Sequence, residues 1–171
     1  DMGSITLDQG AGGHGIGSID DKTPTANEEI WDNISHGTGH DGYRVGIGNA
    51  GAIAYAGTFL GMGVSADYVQ QGGGTLEDGA TGAAGSGSSQ SLALTYAVAD
   101  GLTIGAGLAS LGTANQAIDA DQETIFGTYA VGGVTFGVQQ SRERTSEAYG
   151  WDTTQYGISF NINDNMSIGY G

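Results

Sequence analysis

Between residues 91 and 98 the even positions carry Leu92, Leu94, Tyr96 and Val98, and the odd ones Ser91, Ala93, Thr95 and Ala97. A period of two sends successive side chains to opposite faces of an extended chain, so the stretch reads as a β-strand. The pair Asp100-Gly101 follows, a favoured sequence for a two-residue turn with positive φ at both positions. Leu102, Ile104, Ala106 and Leu108 then alternate with Thr103, Gly105, Gly107 and Ala109, completing a hairpin. The unit recurs. Residues 125–131 and 134–139 flank Gly132-Gly133, and residues 156–162 and 166–170 flank Asn163-Asp164-Asn165. Tight turns therefore fall near residues 100, 132 and 164, about 32 apart, while the connections 72–90, 112–121 and 141–151 are longer and polar. Short turns at one end and long loops at the other predict an all-β, antiparallel up-and-down meander.

The chemistry of the two faces decides what surrounds such a sheet. One face carries Leu, Ile, Val, Phe, Tyr and Met; the other carries Gly, Ala, Ser, Thr, Asn and Gln. A soluble sandwich would turn the apolar face inward and dress the outer one with Lys, Glu and Arg. Here all four basic residues fall in expected loops and none in expected strands. A small, uncharged second face suits a polar lumen, with the apolar face toward lipid. Tyr96, Tyr129 and Phe160 each precede a tight turn by three or four residues, where an interfacial aromatic girdle would sit. Ser65, Asp67, Thr95, Thr103, Thr135, Gln139, Ser159 and Asn161 are expected to face water inside a barrel, and Leu94, Ile104, Val138 and Ile158 to face lipid or a neighbouring subunit. No run of 18 apolar residues is present, but a spanning β-strand needs only ~9–11 residues.

Composition removes several classes. Nineteen acids against four basic residues give a net charge of −15, which excludes a nucleic-acid binder that tracks phosphates. Absence of cysteine excludes disulfides and thiolate metal sites within the chain. The 34 glycines follow no G-X-Y period, so a collagen helix is excluded.

The first third is less regular. Residues 3–8 read as a strand, 52–57 as another, and 62–70 as its hairpin partner after the break Thr58-Phe59-Leu60-Gly61. Residues 9–49, rich in Gly, Asp and His, are too long for a simple connection, which points to a functional loop. Thr25-Ala26-Asn27-Glu28, just after Pro24, forms a capping box, and Ile30, Trp31 and Ile34 fall on one face of a short helix.

Gly3-Ser4-Ile5-Thr6-Leu7, the acidic stretch with Thr23-Pro24 and Glu28-Glu29-Ile30-Trp31-Asp32, and the run Ile53-Ala54-Tyr55-Ala56-Gly57-Thr58-Phe59-Leu60-Gly61-Met62-Gly63-Val64-Ser65-Ala66-Asp67-Tyr68 carry a resemblance. The chain resembles the general porins of bacterial outer membranes, most closely the alphaproteobacterial kind. In that family a long third loop folds into the pore and narrows it. The resemblance implies a 16-stranded transmembrane barrel, a homotrimer embedded in membrane lipid, and passive diffusion of ions and small hydrophilic solutes. It makes residues 9–49 the constriction loop and residues 50–171 the meander of one barrel domain spanning 1–171. Nine strands are legible, whereas closed bacterial barrels normally have an even number. The chain is accordingly expected to be the central part of a longer barrel, with a basic wall opposite the acidic loop lying elsewhere.

Within the loop, Asp20, Asp21, Glu28, Glu29, Asp32 and Asp41 stand against Lys22 and Arg44. These eight are the candidate constriction residues, because charges around a narrow aqueous gap with low-dielectric walls act on passing ions. Hard cations suit clustered carboxylates, so Asp20, Asp21, Asp32 and Asp41 are candidate calcium ligands. Asp32, His36 and His40 stand four apart, but the Gly37-Thr38-Gly39 linker gives no helix to align them, and a solvated loop is favoured. Gly12-Gly13-His14-Gly15 lacks the repeats of a calcium-binding nonapeptide array. Gly46-Ile47-Gly48-Asn49-Ala50-Gly51 matches G-x-G-x-x-G, yet a β-like stretch follows where a dinucleotide site needs a helix. No G-x-S-x-G elbow is present, and no enzyme is expected. The rival of a different class is an acidic, Gly-rich secreted or surface-layer β-domain acting as an adhesin or interaction module.

Overall fold

Alternation of small and large side chains over nine segments builds a single antiparallel sheet. The structure is a computed structural model and describes residues 2–9, 13–24, 50–69, 88–112, 120–144, 150–163 and 165–171. The strands are β1 (Ser4–Gln9), β2 (Ala50–Phe59), β3 (Met62–Val69), β4 (Ser89–Ala99), β5 (Leu102–Leu111), β6 (Ala120–Val131), β7 (Val134–Arg144), β8 (Gly150–Asn163) and β9 (Met166–Tyr170). Each pairs with its sequence neighbour, so the spatial order equals the chain order and the sheet is open at β1 and β9. A 3-10 turn, Gly15–Ile19, was not anticipated from the sequence. No helix among the described residues is long and apolar enough to cross a membrane.

The faces separate as the period-two pattern dictates. Ala52, Ala54, Asp67, Val69, Ser89, Ser91, Ala93, Ala109, Gln122, Thr124, Phe126, Gln139 and Ser141 are buried on one face. The neighbours in between, including Ile53, Leu94, Ile104, Ile125, Val138 and Ile158, are exposed on the other. Burial is therefore inverted relative to a soluble sheet: the small and polar face is covered and the apolar face is bare. Phe126 is the largest of these buried side chains, and Gly105 opposite it in the register makes the room, since a methyl at that glycine would collide with the ring.

Several boundaries differ from expectation. β6, β7 and β8 run five or six residues further toward the long-loop end than the apolar alternation indicates, through Asp121, Glu123, Arg142, Arg144 and Asp152. Arg142 and Arg144 thus lie within a strand, which corrects the expectation that every basic residue sits in a loop. Cross-strand pairing explains the extension: Glu123, Arg142 and Asp152 share one row, and Arg142 Nε donates to Asp152 Oδ1 at 2.6 Å.

Turns also refine the reading. Gly132-Gly133 has positive φ at both positions, 56° and 84°, as a twist-matched two-residue turn requires. At Asp100-Gly101 only Gly101 is positive, at 73°, because the register shift between Ala97 and Ala99 supplies the local twist. The third hairpin closes on Asn165 N donating to Asn163 Oδ1 at 2.9 Å. Leu60-Gly61 is itself a tight turn, with φ of 50° and 81°.

The tight-turn end is stepped. Met62 pairs with Tyr96, Leu102 with Tyr129 and Val134 with Phe160, so each hairpin projects two to three residues beyond the one before it, always in the same direction.

Leu60 holds a left-handed conformation that crowds its Cβ against the backbone, at a cost of ~1–2 kcal/mol. Leu60→Asn should raise stability in denaturant unfolding by about 0.5–1 kcal/mol, since Asn tolerates that region and Asn-Gly suits this turn.

Candidate functional site

Residues 13–24 form a strap across the covered face. A strap of this kind lacks a strand partner, so its buried backbone groups need side chains from the sheet. Three strands supply them. Ser65 Oγ accepts from Gly15 N at 2.9 Å, and Ser91 Oγ accepts from Ile16 N at 2.8 Å. Ser91 in turn donates to the Asp67 carboxylate. Gln139, 0 % exposed, accepts from Lys22 N through Oε1 at 2.8 Å and donates through Nε2 to the carbonyls of Ile19 at 2.7 Å and Asp20 at 3.3 Å. The same Nε2 reaches Thr124 Oγ1 at 3.0 Å, which also accepts from Ser141 at 2.7 Å. At the leading end His14 Nε2 stands 3.1 Å from Asp8 Oδ2.

Apolar anchors complete the docking. Ile16 packs with Ala52, Val69 and Ala109, and Ile19 packs with Ala93 and Phe126. Close approach is possible because the strands present glycine beneath the strap. A Cβ at Gly107 would lie 2.8 Å from Ile16 Cγ1 and 3.1 Å from Ile19 Cδ1. Pro24 rests on Gly137 and Gly157, where a Cβ at Gly157 would meet the Pro24 carbonyl oxygen at 2.5 Å. The strap therefore crosses the strands from β1 and β3 to β8, along a track of small residues.

This arrangement corrects one group of expectations. Asp67 and Gln139 do not face open water; both are buried beneath the strap, where Gln139 bonds its backbone and Asp67 accepts from Ser91. Ser65 likewise bonds the strap. Thr95, Thr103, Thr135 and Ser159 lie on the same face and are partly accessible, and Asn161 is exposed there.

Of the candidate constriction residues, the structure places Asp20, exposed, with Asp21 and Lys22, both half-buried, at the end of the strap held by Gln139. Glu28, Glu29, Asp32, Asp41 and Arg44 lie outside the described residues, as do His36, His40, the capping box and the Ile30-Trp31-Ile34 face. Among the described residues no group of three or more His, Asp or Glu stands close enough to hold a metal. The G-x-G-x-x-G match runs into β2 from Ala50 onward, so a strand follows those glycines. His14 of the Gly-Gly-His-Gly stretch pairs with Asp8.

Sequence reasoning missed the anchors Ile16 and Ile19. They are the two large apolar residues of segment 13–24, three apart, and that spacing was the available signal.

A methyl at Gly157 meets backbone, which cannot swing aside as a side-chain tip would. Gly157→Ala should lift the trailing end of the strap while the sheet persists. The chain's single lysine, Lys22, reports this: tryptic cleavage after it should accelerate about tenfold or more, with unchanged far-ultraviolet circular dichroism.

No protein-family model, curated protein or solved structure matches the chain.

Proposed function

We propose that the chain forms the wall and the inward loop of an outer-membrane porin, a water-filled passage for ions and small hydrophilic solutes. The observation that carries this reading is the inverted burial. Large apolar side chains of all nine strands stand exposed on one face, while the strap and its polar anchors occupy the other. In water such a face would be an extreme patch; against hydrocarbon it is satisfied. A secreted β-domain would need a second layer over that face.

The stepped hairpins support closure into a barrel. A shift of two to three residues per hairpin, at ~3.4 Å per residue and ~4.8 Å between strands, corresponds to a strand tilt of roughly 35–45°. Closed barrels have tilts in that range. β2 and β4 to β8 have 10–14 residues, enough for the ~9–11 that a tilted strand needs to span a bilayer. Homotrimeric assembly and a bacterial outer-membrane location follow from the resemblance to general porins and belong to the same proposal.

The mechanism is steric and electrostatic, with no chemical step. The strap narrows the lumen, and its carboxylates, with those of the continuing loop, bias the passing ions toward cations. Reversal potentials in planar bilayers under a salt gradient test it. Neutralising Asp20, Glu28, Glu29 and Asp32 together as Asn or Gln should lower the cation-to-anion permeability ratio. An unchanged ratio removes these residues from the constriction, and absence of channels removes the porin reading.

The two faces should also respond differently to charge. Ile104→Arg should cost roughly 2–4 kcal/mol in lipid vesicles and Thr103→Arg far less. Equal costs, measured by equilibrium unfolding, would contradict the assignment of faces.

A further inference from the structure

The trailing end of the strap crosses from β7 to β8 over a step in the sheet. Gln139 and Gln155 stand directly opposite each other in the ladder of these strands, and Gly137 and Gly157 form the corresponding pair two residues away. All four share the covered face, since residues two apart in a strand point to the same side. The strap is fixed on each pair. Lys22 N donates to Gln139 Oε1 at 2.8 Å, and Pro24 rests on Gly157, where a Cβ would lie 3.1 Å from Pro24 N and 2.5 Å from its carbonyl oxygen. Thr23 is the residue between those two points, so it lies over the step from the glutamine pair to the glycine pair.

Two oxygens at this step have no hydrogen-bond partner. Thr23 Oγ1 and Gln155 Oε1 are both shut off from solvent, and Thr23 as a whole is only 6 % exposed. They do not serve one another, because no hydrogen bond joins them. The neighbouring amide is committed: Gln139 Oε1 accepts from Lys22, and Nε2 donates to the carbonyls of Ile19 and Asp20 and reaches Thr124. Asp21 is engaged in an interaction of its own, and the site is complete without it. Buried polar atoms of folded proteins find their partners in protein or in ordered water.

We propose that Thr23 Oγ1 and Gln155 Oε1 bind one resident water molecule, which ties the trailing end of the strap to β8. An amide oxygen only accepts and requires a donor, whereas a hydroxyl both donates and accepts. Water donates one hydrogen to Gln155 Oε1 and bonds the Thr23 hydroxyl with the other hydrogen or a lone pair. It thereby gains the two polar partners that a buried water needs. A calcium ion takes about six to eight oxygens, and the step offers far fewer. The water does for β8 what the Gln139 amide does for β7. It carries the hold onto the next strand where the glycine pair has no side chain to supply it. The site is independent of whether the sheet closes into a channel.

A high-resolution crystal structure of the whole chain in detergent, and a mutant cycle read by proteolysis, test it. The crystal should show one water bonded to both oxygens. A Gln155 amide turned so that its nitrogen bonds Thr23 Oγ1 directly, a metal ion with a full oxygen shell, or a dry step each overturns the proposal. The cycle follows tryptic cleavage after Lys22, the chain's single lysine and the residue next to Thr23, by mass spectrometry. Thr23→Val and Gln155→Met each remove one of the water's two partners. Each should speed cleavage about fivefold or more, as loss of a bond to a shielded oxygen implies. Thr23→Ser, which keeps the hydroxyl, should cleave at the wild-type rate. The double variant should be no faster than the quicker single, because the water and both of its partners leave together. Unchanged rates in the singles, or effects that multiply in the double while far-ultraviolet circular dichroism stays constant, overturn the bridge.

Discussion

A peptide segment laid across a sheet has no neighbour of its own kind, and each backbone group it buries must find a side chain. Gln139 meets that requirement for the trailing half of the strap, with its oxygen on Lys22 N and its nitrogen on the carbonyls of Ile19 and Asp20. Much else in the covered face serves this contact. Thr124 and Ser141 orient the amide, and Gly107, Gly137 and Gly157 lower the floor so that the strap approaches within reach. Without them the buried polar groups would cost about 1–3 kcal/mol each. The polar face of the sheet is polar because something rests on it.

The opposite face follows from the same arrangement. Once the small side chains are taken up by the strap, Leu94, Ile104, Ile125, Val138 and their neighbours have no inner layer to join. A chain of net charge −15 thus leaves its large apolar side chains bare on one side of a single sheet. The charged row of Glu123, Arg142 and Asp152 marks where the apolar band ends toward the long loops.

Strands and faces were legible because both signals are local. A period of two and a Gly-rich turn are visible within a dozen residues, and β9 was placed at its observed bounds. Strand ends were less legible, since Gln140, Arg142 and Arg144 extend β7 by pairing with a strand that cannot be seen in their own neighbourhood. The strap was the hardest part. Its acids drew attention, whereas what places it is Ile16 and Ile19 seated over glycine. Nothing near residue 19 announces that its carbonyl belongs with Gln139. A trace did exist in the sequence: Gly105, Gly107, Gly137 and Gly157 all share the parity of the small-residue face.

The separation along the chain has a kinetic consequence. Hairpins such as β6–β7 close across two residues, but the strap's bonds to Gln139 join positions 117 and 120 apart, and those to Ser65 and Ser91 join positions 50 and 75 apart. Closing so long a loop carries an entropic cost that a single amide cannot offset until the strand bearing it is already held in place. Docking of the strap is thus contingent on a sheet that extends at least to β7. A nascent sheet would first present its small, polar face bare and acquire the strap afterwards, so that the covering of that face is settled by the last contacts to form.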